Sequence, residues 1–382
     1  MNQSRPLPFA ALIIAAAAGI GASAPAKPMA PVSQSTYNYY VSLAGSDSNP
    51  GTAALPFQSI LRASKVALPG TTIHVAPGTY EGGFKTTMSG TESQRIYYVS
   101  TVTGGARLVP PMTSETKAAW DNRGSYVDIV GFDIDGSAAR NGIKWTHGIY
   151  NGGSFAVIRH NRVHHIAQDT PCNGGGAAGI GVDSYYHGVQ GDVIGNVVHD
   201  IGPPGCRFMQ GIHISTSGSA RNNIVHNIGG AAIQMWHDAN NVIVTNNTVA
   251  ASMTGILVGG GDFYHTKGPN DFTVVHNNIV YDNKVGISEQ GATGVHNSYR
   301  NNLVFQSSNA DWQLRNGLTH SGTIAQAPQF VRYARRGEVD FRLRAGSPAI
   351  GKGVEEHAAL TDATGKLRSK AAGIDIGAYQ FK

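Results

Sequence analysis

Six segments of the chain, "RHNRVHHI", "IGNVVHDI", "RNNIVHNI", "TNNTVAAS", "HNNIVYDN" and "RNNLVFQS", align without gaps and place Asn161, Asn196, Asn223, Asn247, Asn278 and Asn302 in one column. Val163, Val198, Val225, Val249, Val280 and Val304 follow two residues later in every copy. The asparagine spacings are 35, 27, 24, 31 and 24 residues, so the shortest unit is 24 residues and some copies carry extra chain. A second column holds Ile149, Ile180, Ile212, Ile233, Ile256 and Ile287, each preceded by Gly or Ala. Each unit thus offers at least two short strands joined by turns rich in Asn and Gly.

A unit this short cannot bury an apolar face alone, but stacked copies can share a continuous interior, which predicts a solenoid of β-coils. Asparagine suits a repeated turn because it tolerates the left-handed conformation and its side-chain amide can bond to the copy above. A leucine-rich horseshoe would need a Leu spacing and helical half-repeats that are missing, and a propeller blade would need four strands over about 40 residues. With 49 glycines in 382 residues and only 14% charged residues, turns rather than helices dominate the chain.

At the N-terminus, Arg5, the apolar run from Phe9 to Ile20 and the small residues Ala22-Ser23-Ala24 read as a secretory signal peptide over residues 1–24. The run is too short for a membrane anchor. A Pro/Ser-rich linker over residues 25–36 and one solenoid domain over residues 37–382 follow, and the protein is expected to be secreted or periplasmic, monomeric and without a membrane partner. The net charge of +5 favours acidic partners such as polyuronides or nucleic acid, and no nucleic-acid motif supports the latter. The two cysteines, Cys172 and Cys206, fall in corresponding insertions of adjacent coils and are expected to form a disulfide after export.

The stretch "YYVSLAGSDSNPGTAALPFQSILRASKVALPGTTIHVAPGTYEGG" is similar to the opening of many secreted β-helix proteins, and "GSPAIGKG" and "GIDIGAYQF" resemble their closing segment. Over residues 37 to 382 the chain resembles the pectate-lyase-like superfamily, including polysaccharide lyases related to family 9. The resemblance implies an all-β, right-handed parallel β-helix. Pro56 is placed to start a short capping helix, with Phe57, Ile60, Leu61 and Ser64 on one face. Family 9 lyases are implied to use a lysine base and calcium held by an aspartate cluster. That cluster is not found here: Asp169, Asp183, Asp192, Asp200, Asp238, Asp262, Asp271, Asp282 and Glu289 are scattered. No cofactor is therefore assigned, calcium being the one the resemblance leaves open. No CxxC spacing points to another metal.

Insertions locate the working face. From the asparagine to the following isoleucine the gap is 19 and 16 residues in the first two coils but 10, 9 and 9 in the next three. The extra chain reads "QDTPCNGGGAAG" and "GPPGCRFMQG"; a third insertion, "GGGDFYHTKGPND", follows the Ile256 strand. Loops on both sides of the isoleucine column make it the floor of a groove. Alternation from each isoleucine turns Tyr150, Asp183, His213, Ser215, Gln234 and Trp236 outward, with Gln234 directly beside His213 and His237 next to Trp236. His164, His165, His199 and His226 read instead as stacked polar residues at repeated turns. Tyr264, His265 and Lys267 lie in the third insertion, either a surface loop or a lid, and Arg207 in the second.

Such a floor suits an acidic polysaccharide, cleaved by β-elimination at a uronic acid. The sugar carboxylate must be neutralised, for which Arg207, Lys267 or Gln234 are candidates. A base must take the C5 proton, His213 or Lys267. An acid, Tyr264 or a water, must protonate the leaving oxygen. Asp183, Gln234, Trp236, His237, Tyr150 and His265 are the substrate-binding candidates, with Asp183 expected to orient the His213 ring and raise its pKa. A hydrolase would need two carboxylates across the groove, from Asp183 with Asp238 or Asp262. An epimerase, or a carbohydrate-binding protein using the same floor without a base, are the remaining readings.

Overall fold

The computed structural model describes residues 36–111, 117–137, 144–369 and 371–381; the expected signal peptide over residues 1–24 and all of the expected linker except Thr36 lie outside them. Each coil carries three short strands, and like strands of successive coils pair in parallel. In one coil these are Gly191–Ile194, Val197–Ile201 and Met209–Ile214, which belong to sheets 1, 2 and 3 respectively. Sheet 1 has eleven strands and sheets 2 and 3 have nine each, so the coils build a parallel β-helix.

The two sequence columns are the inward rungs of sheets 2 and 3. Val163, Val198, Val225, Val249, Val280 and Val304 pair in register along sheet 2. Ile149, Ile180, Ile212, Ile233, Ile256 and Ile287 do so along sheet 3, with Trp120 extending the row one coil earlier. All thirteen side chains are fully buried, and each such burial is worth roughly 1.5–3 kcal/mol. Sheet 1 supplies the third wall, with Ile129, Ile158, Val193, Ala220, Val244 and Val275 buried among the same core residues.

At the corner between sheets 1 and 2 the asparagine column is a buried ladder. Each backbone N–H and each side-chain amide donates to the Oδ1 of the next asparagine at 2.9–3.1 Å, from Asn161 through Asn302. The left-handed backbone falls one residue earlier than the sequence suggests. Asn222, Asn246, Asn277 and Asn301 have φ of 51–57°, while the ladder residues do not have positive φ.

The N-terminal helix runs over Ile60–Val66, four residues after Pro56. Ser59 is its cap, accepting the Arg62 N–H, and Asp47 in turn accepts Ser59 N–H and O–H. Ile60, Ala63 and Phe57 bury against the first coils. The C-terminal segment does not close the far end; it covers the outer face of sheet 2. Phe330, Phe341, Leu343, Ala349 and Ile376 pack on the outward residues Ile224, Ala250, Ile279 and Leu303. The left-handed asparagines hold it along its course: Asn301 donates to Lys352 O, Asn277 to Val354 O and Asn222 to Thr361 O, and Asn246 accepts Ala359 N–H. The chain then returns, with Asp375 O at Asn246 and Gly377 N at Asn277.

Candidate active site on the third sheet

His213 stands on the outer face of sheet 3 between Gly181 and Gln234 of the neighbouring coils. The glycine leaves a gap on one side, and the imidazole is half-buried. Its Nδ1 is enclosed without a hydrogen-bond partner among the described residues, and so is Oε1 of Gln234. Nε2 of His213 is therefore the ring nitrogen open to the groove. Burial pushes the imidazole down to about 4, against the opposing charge of Asp183 and with help from His237 and His147. Asp183 acts to raise the pKa as expected, but it does not hydrogen-bond the ring. Asp183 Oδ1 accepts the Tyr185 N–H instead, and its charge is outweighed by desolvation.

Beside His213 lies a phenol–imidazole pair. The His237 ring meets His213 edge-on at 5.6 Å. Its Nδ1 donates to the carbonyl of Asp262 at 2.8 Å, which fixes Nε2 as the acceptor of the Tyr264 O–H, also at 2.8 Å. Burial, then Asp183, Asp238 and Asp262, push the Tyr264 phenol well above its usual value. Trp236 is outward and half-buried, with its Nε1–H on Asp262 at 3.3 Å. The indole rests on Gly259 and Gly261, where a Cβ would come within 2.6 and 2.8 Å of its ring carbons. Ser215, by contrast, is buried in the turn after its strand and is no part of the floor.

One carboxylate places the third insertion. Asp238 accepts backbone N–H groups of Tyr264, His265 and Thr266, the Thr266 hydroxyl and the Ser184 hydroxyl, at 2.8–3.2 Å. Burial pushes its carboxyl up, but the bonds from Thr266, His265 and Ser184 outweigh this and hold it below the usual range. The loop folds over the groove, since His265 Nε2 reaches Ser184 O at 2.9 Å and its ring stacks on His187. Lys267 is exposed and makes no hydrogen bond or ion pair among the described residues. Arg207 is likewise not brought to His213; it is exposed and lies over the Phe208 ring at 4.8 Å, in the insertion that carries Cys206. That insertion is tied to the preceding one by the expected disulfide, Cys172–Cys206, with Cα atoms 5.6 Å apart.

A row of rings extends the site toward the earlier coils: Tyr264 meets Tyr185, Tyr185 meets Tyr186, and Tyr186 meets Tyr150. Tyr150, Tyr185 and Tyr186 border a hollow of about 400 Å³ lined also by Lys85, Lys117, Asp121, Arg123 and His147. Arg123 lies over the Tyr186 ring at 3.5 Å and chelates Asp121 through Nε and Nη2, leaving Nη1 enclosed with no partner. His147 is pushed down to about 4 by burial. These cations and His147 were not singled out from the sequence. They lie in or before the first coil of the isoleucine column, where Trp120 replaces the isoleucine and the repeat frame gives no guide.

Calcium would need about six to eight oxygen ligands. Asp238 spends both oxygens on hydrogen bonds, Asp183 caps Tyr185 and Asp262 holds Trp236, so among the described residues no oxygen set converges in the groove. These residues do not fit calcium, and no step is derived through it.

Residues 39–190 match the family model described as "Pel9A-like, right handed beta helix region". Among solved structures, the crystal structure of pectate lyase Pel9A superposes with a TM-score of 0.61 at 16% identity, covering 91% of this chain and 97% of that one. The fold is that of the pectate-lyase-like right-handed β-helices. A structure described as a glycoside hydrolase matches with a TM-score of 0.55 at 9% identity over 76% of this chain and 97% of that chain. XylC in complex with xylose matches with a TM-score of 0.53 at 13% identity, over 76% of this chain and 70% of that chain. No curated protein matches the sequence. Pectate-lyase-like architecture thus hosts more than one chemistry among its neighbours, and the groove residues have to decide between them.

Proposed function

We propose that the protein is an exported polysaccharide lyase that cleaves a uronic-acid-containing polysaccharide by β-elimination in the groove on sheet 3. The observation that carries this reading is the placing of His213, whose Nδ1 has no partner among the described residues, beside His237, which in turn holds the Tyr264 phenol, so that an imidazole and a phenol share one stretch of the groove. Elimination needs one group of each kind. Neutral His213 takes the C5 proton through Nε2, the C4–O bond breaks as the C4=C5 double bond forms, and Tyr264 gives its proton to the departing oxygen. Proton return from the imidazolium to the phenolate through solvent resets the site. The cations bordering the hollow, Lys85, Lys117 and Arg123, lie some coils before His213 and suit the carboxylates of neighbouring sugar units of an acidic chain. Trp236 and the tyrosine row offer faces on which sugar rings can lie.

Hydrolysis is the weaker reading because Asp238, one of its carboxylates, is committed to holding the loop. The test is to incubate the purified protein with a panel of acidic polysaccharides, with and without chelator, following ultraviolet absorbance of unsaturated uronates together with reducing ends. Absorbance that survives chelation is the expected result. Reducing ends without absorbance would replace the lyase with a hydrolase, and retained binding without either signal would leave a non-catalytic binder.

A further inference from the structure

A second cluster lies on the opposite wall, at the end of a sheet-2 strand, and it involves residues that the groove does not use. His164 and His165 are adjacent in the strand Arg162–Ile166, yet their rings turn toward one another with Nδ1 facing Nδ1 at 2.7 Å. The next coil shows the ordinary solution at the same place. There Asp200 occupies the position of His165, and its carboxylate accepts Nδ1–H of His199 at 2.6 Å. In the His164 coil two ring nitrogens meet where one acceptor would suffice.

The outer nitrogens explain which protons are present. His164 Nε2 is 3.0 Å from Asp133 Oδ1, and His165 Nε2 is 4.0 Å from Asp200 Oδ2. Asp133 favours the proton on His164 Nε2, which leaves a lone pair on its Nδ1. That lone pair points at His165 Nδ1, 2.7 Å away, and the gap is filled either by a proton on His165 Nδ1 or by a cation bound by both nitrogens. Oδ1 of the fully buried Asp135 is 3.5 Å from His164 Nδ1 and, among the described residues, accepts the Ser137 N–H at 2.8 Å; its Oδ2 contacts the Arg107 guanidinium. Donor atoms of Asp135, His164 and His165 all lie within 4.8 Å of one another.

We infer that Asp135, His164 and His165 form a binding site for a divalent transition-metal ion of the zinc class, with Asp133 orienting the His164 imidazole. Donors around a tetrahedral zinc with bonds of about 2.0–2.1 Å lie roughly 3.3 Å apart, so separations of this order need only small ring rotations to close on the ion. Two neutral imidazoles and one carboxylate select zinc or a similar borderline ion over calcium or magnesium, which take oxygen. Imidazoles that ligate through one nitrogen and donate to a carboxylate through the other are the usual outer support of such sites. His165 also lines a hollow of about 1220 Å³ on this wall, which gives the ion a way in.

The test uses the full exported protein, prepared without a histidine tag, stripped with chelator and titrated with Zn²⁺ and separately with Co²⁺. One tight equivalent of zinc by calorimetry and elemental analysis is expected, with visible cobalt absorption of a four-coordinate site. His165→Ala should lose that equivalent, and Asp133→Asn should weaken it by about 10–100-fold, the usual scale for a group supporting a ligand. Because His165 is partly exposed, its loss should leave the circular dichroism unchanged. No stoichiometric zinc in the native protein, or undiminished zinc in a folded His165→Ala variant, would overturn the site.

Discussion

Under the proposed lyase reading, the base must stay unprotonated while surrounded by the acidic groups of its own substrate. Burial suits His213 to that role, since it pushes the imidazole from the ordinary 6.5 down to about 4. As base, it should give turnover an acid limb near pH 4 and a plateau above it, measured on the folded fraction. A limb near 10 would instead assign proton abstraction to a lysine. His213→Ala should lower kcat by at least about a hundredfold with the melting temperature little changed, since the ring is only half-buried and makes no hydrogen bond. Tyr264→Phe, which removes the proton donor and keeps the ring, should do the same; near-normal kcat in either variant removes that residue from the chemistry.

At the scale of elements, the groove is made by loops that the coils do not need. Asp238 gathers the third insertion by its backbone N–H groups, so Asp238→Ala should release the loop, unseat Tyr264 and lower kcat at least about tenfold, while the three sheets persist by circular dichroism. Lys267→Ala, on the exposed side of the same loop, should leave turnover unchanged, and a tenfold loss there would return the lysine to the site. The contrast shows what the sequence could tell. Ile and Val columns, the asparagine column and the paired cysteines repeat in frame, so inward rungs, ladder and disulfide were legible. The sheet-1 strands "AVIR", "GDVI", "GSAR" and "VIVT" share no residue column and were hidden. The role of Asp238 depends on N–H groups 26–28 residues away, and Arg123 and His147 lie where the frame has no isoleucine to anchor it. His165 with Asp135 escaped for a related reason: metal spacing was sought within one strand, whereas a solenoid collects ligands from adjacent coils.

For the whole molecule, burial of histidines sets the acid limit of stability. His74, His147, His160, His165, His213, His226 and His276 are all pushed below 6.5 by burial, four of them to about 4. Unfolded chains take up these protons as pH falls below 6.5 and the folded protein does not until near 4, so stability should decline steadily between those values. Asp128 and Asp375, raised by burial, act in the opposite sense but are fewer. Urea midpoints recorded from pH 7 to pH 4 test this, and a flat profile would contradict it.

The C-terminal segment adds a constraint of another kind. A stack of similar coils can in principle gain or lose one by duplication or deletion, since each touches only its neighbours. Here residues 352, 354, 359 and 361 meet the corners at Asn301, Asn277, Asn246 and Asn222 in turn. The tail is a ruler laid along the stack, and its marks match one number of coils. Lengthening the helix inside that span would slide the marks on one side of the new coil off their asparagines, whereas a coil added outside it, before Asn222 or after Asn301, leaves all four contacts in step.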